Sequence, residues 1–240
     1  MAEIKGILFD KDGTLVDFEK TWYALADLMA LHAADGDRAA ADRLMERAGY
    51  DYARGGFKAD SVFAAGTNAD IVALWYPDAD ATERREKTLF FDGFTAEQGA
   101  LQSVPLEGSR ETIASLHRAG FRLAVATNDS TGGAEKTLLA LGIAQMFDAA
   151  YGYDSVANPK PAPDTIVAFC DLTGLKPSEL AMVGDNRHDL EMAKAGGAGL
   201  AVGVLSGTGT AESLAPLADV VLDSIVDLPA YLSERNRLPA

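Results

Sequence analysis

The sequence is short of cysteine, histidine and positive charge. Its single cysteine, Cys170, rules out an intramolecular disulfide and fits a reducing compartment. Lys and Arg number 21 against 36 Asp and Glu, a formal net charge of -15. That balance argues against nucleic acid and anionic membrane surfaces as partners. Long apolar runs are missing too. The longest uncharged stretch, Ala195 to Ala211, has 17 residues, six of them glycine, and reads as a strand with flanking turns. Near the N-terminus Glu3, Lys5 and Asp10 interrupt what a secretory leader would keep apolar. No internal repeat or low-complexity segment is present. These absences predict a soluble cytoplasmic protein, a monomer or homodimer.

What is present is 48% hydrophobic residues over 240 positions, enough for one large domain or for a core with a smaller domain inserted in it. An apolar run, Ile4 to Phe9, has strand character. From Asp17 to about Ser103 there is no convincing strand. Trp22, Leu25 and Met29 recur at helical spacing, as do Ile71, Leu74 and Trp75 after a Thr67-Asn68 start signal. From Pro105 onward helices and strands alternate, with strands predicted over 121–126, 147–151, 180–183, 200–205 and 220–222. Near-continuous apolar strands between amphipathic helices indicate a parallel sheet covered on both faces. The expected fold is α/β, a Rossmann-like parallel core formed by residues 1–16 and 104–240, with an all-helical cap inserted over 17–103.

Ligands of such sheets bind beyond the carboxyl ends of the strands. The first strand ends in Asp10-Lys11-Asp12-Gly13, the second in Thr127-Asn128-Asp129, and the 180–183 strand in Gly184-Asp185-Asn186-Arg187-His188-Asp189. Between the last two, prolines 159, 161 and 163 frame Lys160. Phosphoryl transfer needs a nucleophile, a cation clamp and a proton donor for the leaving oxygen. Asp10 is the candidate nucleophile and Asp12 the candidate acid and base. Asp185 is a candidate ligand for Mg2+, with Asp189 as a ligand or an orienter of ligands. Thr127, Asn128 and Lys160 are candidates to hold the phosphate. Taken singly, each has a plainer reading: Thr127 to Asp129 as a helix cap, Lys160 as a solvated lysine, Asp189 as a first-turn acid.

Together the strings Asp10-Lys11-Asp12-Gly13-Thr14-Leu15, Thr127-Asn128, Lys160-Pro161 and Gly184-Asp185-x-x-x-Asp189 resemble the four motifs of the haloacid dehalogenase superfamily. The fourth string, with Ala193-Lys194-Ala195-Gly196 behind it, is similar to the phosphoglycolate phosphatase branch. The resemblance covers the whole chain. It implies a Mg2+-dependent phosphatase acting on a small phosphorylated metabolite, with Asp10 as nucleophile and Asp12 as acid and base. It also implies metal ligation by Asp10, the Asp12 carbonyl and Asp185. The loop Tyr153 to Pro159 departs from the branch, which carries Arg or Gly there. Phosphomutase and pyrophosphatase activities on the same fold, and a non-enzymatic receiver-type phosphoacceptor, are the alternatives. A receiver needs about half this length and no inserted helices.

Within the cap, Arg54-Gly55-Gly56-Phe57-Lys58 is the most site-like loop, with glycines for close approach and two cations, so Arg54 and Lys58 are candidate substrate contacts. His188 reads as a helix-surface histidine and Cys170 as core. The glycine-rich 203–209 stretch reads as a turn, with a backbone phosphate nest as its alternative.

Overall fold

The structure is a computed structural model that describes residues 2–236. Its centre is β1 (Gly6–Phe9), buried along its whole length. Strand alternation sends Ile7 and Phe9 into one apolar layer and Leu8 into the layer on the opposite face. A strand covered on both sides needs apolar residues at every position, so it reads as a continuous run.

After β1 the chain enters a block containing α1 (Phe18–Ala33), α2 (Arg38–Ala48), α3 (Val62–Ala65), α4 (Asn68–Trp75) and α5 (Ala81–Gln102). Every one starts on a side-chain cap: Asp17, Asp37, Ser61, Thr67 and Asp80 accept bonds from first-turn N–H groups. Thr67 and Asp70 complete a reciprocal capping box, the start signal legible in the sequence. The block has its own apolar cluster, including Trp22, Leu25, Met45, Phe63, Trp75 and Phe91. The expectation of a wholly helical block needs one correction: β2 (Tyr50–Asp51) pairs antiparallel with β3 (Gly56–Phe57). Two residues are too few to display a strand period. Tertiary contacts hold this hairpin instead, since Glu19 accepts from the Phe57 N–H at 2.7 Å and the Phe18 and Phe57 rings meet edge to face.

The rest of the chain runs α6 (Ser109–Arg118), β4 (Arg122–Ala126), α7 (Thr131–Ala140), β5 (Ala149–Tyr151), α8 (Asp164–Thr173) and β6 (Leu180–Gly184). It continues through α9 (Arg187–Gly196), β7 (Leu200–Val204), α10 (Ala211–Leu214), β8 (Val220–Leu222) and α11 (Leu228–Arg235). Six strands form one sheet in the order β5-β4-β1-β6-β7-β8, every pair parallel. β5 starts later than the apolar pattern suggests because Asp148 turns its carboxylate onto Arg122 and the Leu123 N–H. α7 starts earlier, at Thr131, because Ser130 caps it.

The chain visits β4 and β6 on opposite sides of β1, so a crevice opens beyond the ends of these three strands. Phe9 lies opposite both Val125 and Val183. That register brings Asp10, Thr127 and Asp185 together. The helical block sits above the crevice. Its two connections run side by side, with Asp17 N–H donating to Val104 O at 2.8 Å and Val16 bridged to Pro105.

Candidate active site

Asp10, Asp185 and Asp189 are buried together, with one oxygen from each lying within 4.8 Å of the others. Lys160 is their only paired cation among the described residues. Its Nζ donates to Asp10 Oδ1 at 2.7 Å and to Asp189 Oδ1 at 2.6 Å. Burial first, then the neighbouring carboxylates, pushes both Asp10 and Asp185 above the usual carboxylate range, while Lys160 pulls the other way. Burial also disfavours the charge on Lys160, but Asp10 and Asp189 outweigh it and hold the ammonium above its ordinary value. Three carboxylates against one ammonium leave two negative charges uncompensated. That is the charge of a divalent cation, and hard carboxylate oxygens are the donors such an ion takes.

The oxygens are not equivalent. Asp189 is occupied on both, by Lys160 and by the Asn186 N–H at 3.0 Å. Asp10 Oδ2 and Asp185 Oδ1 receive no bond from a described residue, so these two are the ones available to an ion. Asp185 Oδ2 accepts from Thr208 N–H at 2.7 Å and Thr208 Oγ1 at 3.3 Å. The glycine-rich stretch after β7 is therefore no open phosphate nest. It wraps Asp185, and a Cβ on Gly207 would stand 2.1 Å from Asp185 Oδ2.

Asp12 is held in a second, separate charge cluster. Lys11, only 2% exposed, contacts Asp12 at 2.6 Å and Asp129 at 3.2 Å. Burial opposes the charge on Lys11, yet the two carboxylates raise its pKa overall. From the helical block, Trp22 Nε1 donates to Asp12 Oδ1 at 2.5 Å, with the Lys11 ammonium 5.1 Å from the indole centroid. Asp12 is thus positioned jointly by its own strand end and by α1. Thr127 Oγ1 accepts from the Asp129 N–H at 3.1 Å, ordering the end of β4.

A cavity of about 60 Å³ brings Asp10, Asp12, Thr127, Asn128, Lys160 and Asp189 into one lining, closed from above by Phe18, Trp22, Phe63 to Gly66, Asn68 and Ile71. Asp185 stands behind it. Ala65 O is the point of closure: Asn128 Nδ2 donates to it at 2.8 Å and His188 Nδ1 meets it at 3.2 Å. His188 is therefore a pocket residue in contact with the helical block and not merely a surface histidine. Its sequence position inside the fourth motif was a signal; its lack of a sequence-near partner hid it. A further tie joins Tyr153 Oη to the Asp92 carboxylate on α5.

Arg54 and Lys58 are not brought to this pocket. Both are exposed, and Arg54 lines a different cavity of about 380 Å³ between the β2–β3 hairpin and the loop 206–210. The residues that face the acids from above come instead from α1, from α3 and the turn after it, and from α4. Among the described residues no helix is long and apolar enough to cross a membrane. Cys170 is free and half-buried.

A sequence profile of haloacid dehalogenase-like hydrolases matches residues 4–197. The phosphoglycolate phosphatase of Salmonella typhimurium is 30% identical over 246 residues, covering 95% of this chain and 92% of that one. The phosphoglycolate phosphatase of Escherichia coli K12 is 32% identical over 249 residues, covering 94% and 91%. Among solved structures, a predicted phosphoglycolate phosphatase from Haemophilus somnus superposes with a TM-score of 0.72 at 26% identity, covering 96% and 99%. CbbY from Rhodobacter sphaeroides, in complex with phosphate, does so with a TM-score of 0.68 at 25% identity, covering 94% and 96%.

Proposed function

This chain belongs to the haloacid dehalogenase-like hydrolases, and from that premise we propose a Mg2+-dependent phosphatase that hydrolyses a small phosphomonoester through an aspartyl-phosphate. The observation that carries the reading is the buried group of three carboxylates around one lysine. Buried carboxylates that outnumber their cation are costly unless an ion or a shared proton offsets them. The free oxygens of Asp10 and Asp185 would be the side-chain ligands; the Asp12 carbonyl would join them by resemblance. Asp189, both of whose oxygens are engaged, orients Lys160. The bound ion would supply charge stabilisation for the transferring phosphoryl oxygens.

The chain's own residues divide the reaction into two steps. Asp10, directed by Lys160, attacks phosphorus with its carboxylate oxygen, the ester bond breaks, and Asp12 delivers a proton to the leaving oxygen. Asp12, now ionised, removes a proton from water; the resulting nucleophile attacks the phosphoryl group on Asp10, which departs as a carboxylate with release of phosphate. Thr127 and the Asn128 backbone border the phosphoryl site. Residues 17–103 act as a cap domain over a core of 1–16 and 104–240, excluding water while Asp12 works. The helical block and the family together leave the receiver-type alternative without support. The relatives' name makes 2-phosphoglycolate the first ester to assay.

The test is phosphate release from a panel of small esters with Mg2+ and with EDTA. Release with Mg2+, its loss with EDTA, and no release by Asp10→Asn are expected. Asp12→Asn, given an activated phosphate donor whose leaving group needs no proton, should accumulate a phosphorylated protein visible by intact mass. Turnover by Asp10→Asn at the parent rate would remove the mechanism.

A further inference from the structure

Two amides line the cavity, and the orientation of each is fixed by partners that accept. Asn68 Nδ2 donates to the Asp92 carboxylate at 2.9 Å and to Thr95 Oγ1 at 3.1 Å, while the Thr95 hydroxyl itself donates to Asp92 O. The amide oxygen of Asn68 is therefore the end left for the cavity it lines. Asn128 Nδ2 donates to two carbonyls, Ala65 O at 2.8 Å and Lys160 O at 3.2 Å. Its Oδ1 is buried without a partner.

The two lysines nearby are each held between carboxylates, and the histidine is held through one ring nitrogen. Lys160 sits between Asp10 and Asp189, Lys11 between Asp12 and Asp129, and His188 meets Ala65 O. Arg54 and Lys58 lie outside the lining. The surroundings are a wall of Phe18, Phe63 and Ile71. With roughly 10–15 Å³ needed per water-sized group, a cavity of about 60 Å³ has room for little beyond a phosphoryl group and a short stub.

We propose that the substrate is a small phosphomonoester whose leaving group carries a hydrogen-bond donor, a hydroxyl or an ammonium, received by Asn68 Oδ1 and Asn128 Oδ1. This rests on the phosphatase reading and narrows it. A carboxylate in the same place would set oxygen against oxygen, with both lysines already paired to carboxylates, and would lose its hydration besides. A plain alkyl group would leave the Asn128 oxygen buried and unsatisfied.

Four esters with the same two-carbon skeleton test it: 2-hydroxyethyl phosphate, phosphoethanolamine, ethyl phosphate and 2-phosphoglycolate, compared by kcat/KM. At least one of the first two is expected to exceed both of the others tenfold or more, as a site that binds a polar group discriminates against analogues lacking it. Which of the two leads tells hydroxyl from ammonium. Asn68→Ala should shrink the preference over ethyl phosphate at least fivefold, through KM. Asp92→Asn, whose amide oxygen can still accept from Asn68, should retain the preference even if cap contact weakens. A preference for 2-phosphoglycolate or ethyl phosphate, or an unchanged ratio in Asn68→Ala, overturns the proposal. Hydrolysis of acetyl phosphate but of none of the four esters overturns it also, with the phosphatase reading intact. No hydrolysis of acetyl phosphate or of any ester removes the phosphatase reading itself.

Discussion

Trp22→Phe isolates the hydrogen bond by which α1 reaches the Asp12 carboxylate. Phenylalanine keeps an aromatic face toward Lys11 and Phe63 but has no N–H for Asp12 Oδ1, which the indole contacts at 2.5 Å. Hydrogen bonds to charged groups contribute about 1.5–3 kcal/mol. At about 1.36 kcal/mol per tenfold in rate, that is roughly a 10- to 150-fold loss if the bond is fully made in the transition state. Lys11 remains at 2.6 Å, so the carboxylate stays ion-paired and the loss falls toward the lower end of this range. The loss should appear in kcat, because in the proposed mechanism Asp12 transfers a proton and does not grip the ground-state ester. It should shrink for an activated donor, whose leaving group needs no proton. Steady-state kinetics on a poor and an activated ester, with a thermal melt to confirm folding, measure all of this. Equal kcat for Trp22→Phe and the parent on the poor ester would show that the cap has no part in positioning Asp12.

Gly207→Ala should cost about 100-fold in activity, since its Cβ would stand 2.1 Å from Asp185 Oδ2 and displace an ion ligand; Gly132→Ala, with nothing within 4 Å, should leave activity unchanged. Kinetics and melting temperatures of the two alanine variants separate a local clash from a general loss of glycine. Tyr153→Phe removes the core's bond to Asp92 on α5. It should raise KM several-fold for every ester alike, and a uniform kcat loss with KM unchanged would count against that tie as a closure contact.

The acids at the ends of β1 and β6 were legible because a buried strand that stops on carboxylates is costly in any fold, and Lys160 because three prolines frame it. Lys11 and Asp129 lay within the same short strings, yet their pairing across two strands is a fact of sheet order that spacing does not carry. Trp22 read as one more apolar helix position, since periodicity reports which face is buried and not which atom an indole N–H will meet. Arg54 and Lys58 had the composition of a binding loop. Composition cannot say on which side of the cap a hairpin lies, and this one faces the loop 206–210. The glycines of the 203–209 stretch read as a turn, with an anion nest as the alternative; the anion they approach is the protein's own Asp185.

The cap's two connections leave the sheet as neighbours, joined at Asp17 and Val104 and again at Val16 and Pro105. Everything between, residues 17–103, starts and finishes at one point on the core. Val16 and Val104 would be no further apart if a tight turn stood there, and the entropy of closing such a loop grows only slowly with its length. The proposed nucleophile Asp10, Lys160 and the two acids Asp185 and Asp189 all lie outside that interval. On the proposed reading of 17–103 as a substrate-selecting cap, a lineage can exchange, shorten or enlarge it by insertion at a single address. The reacting half keeps its sequence while the choice of ester drifts.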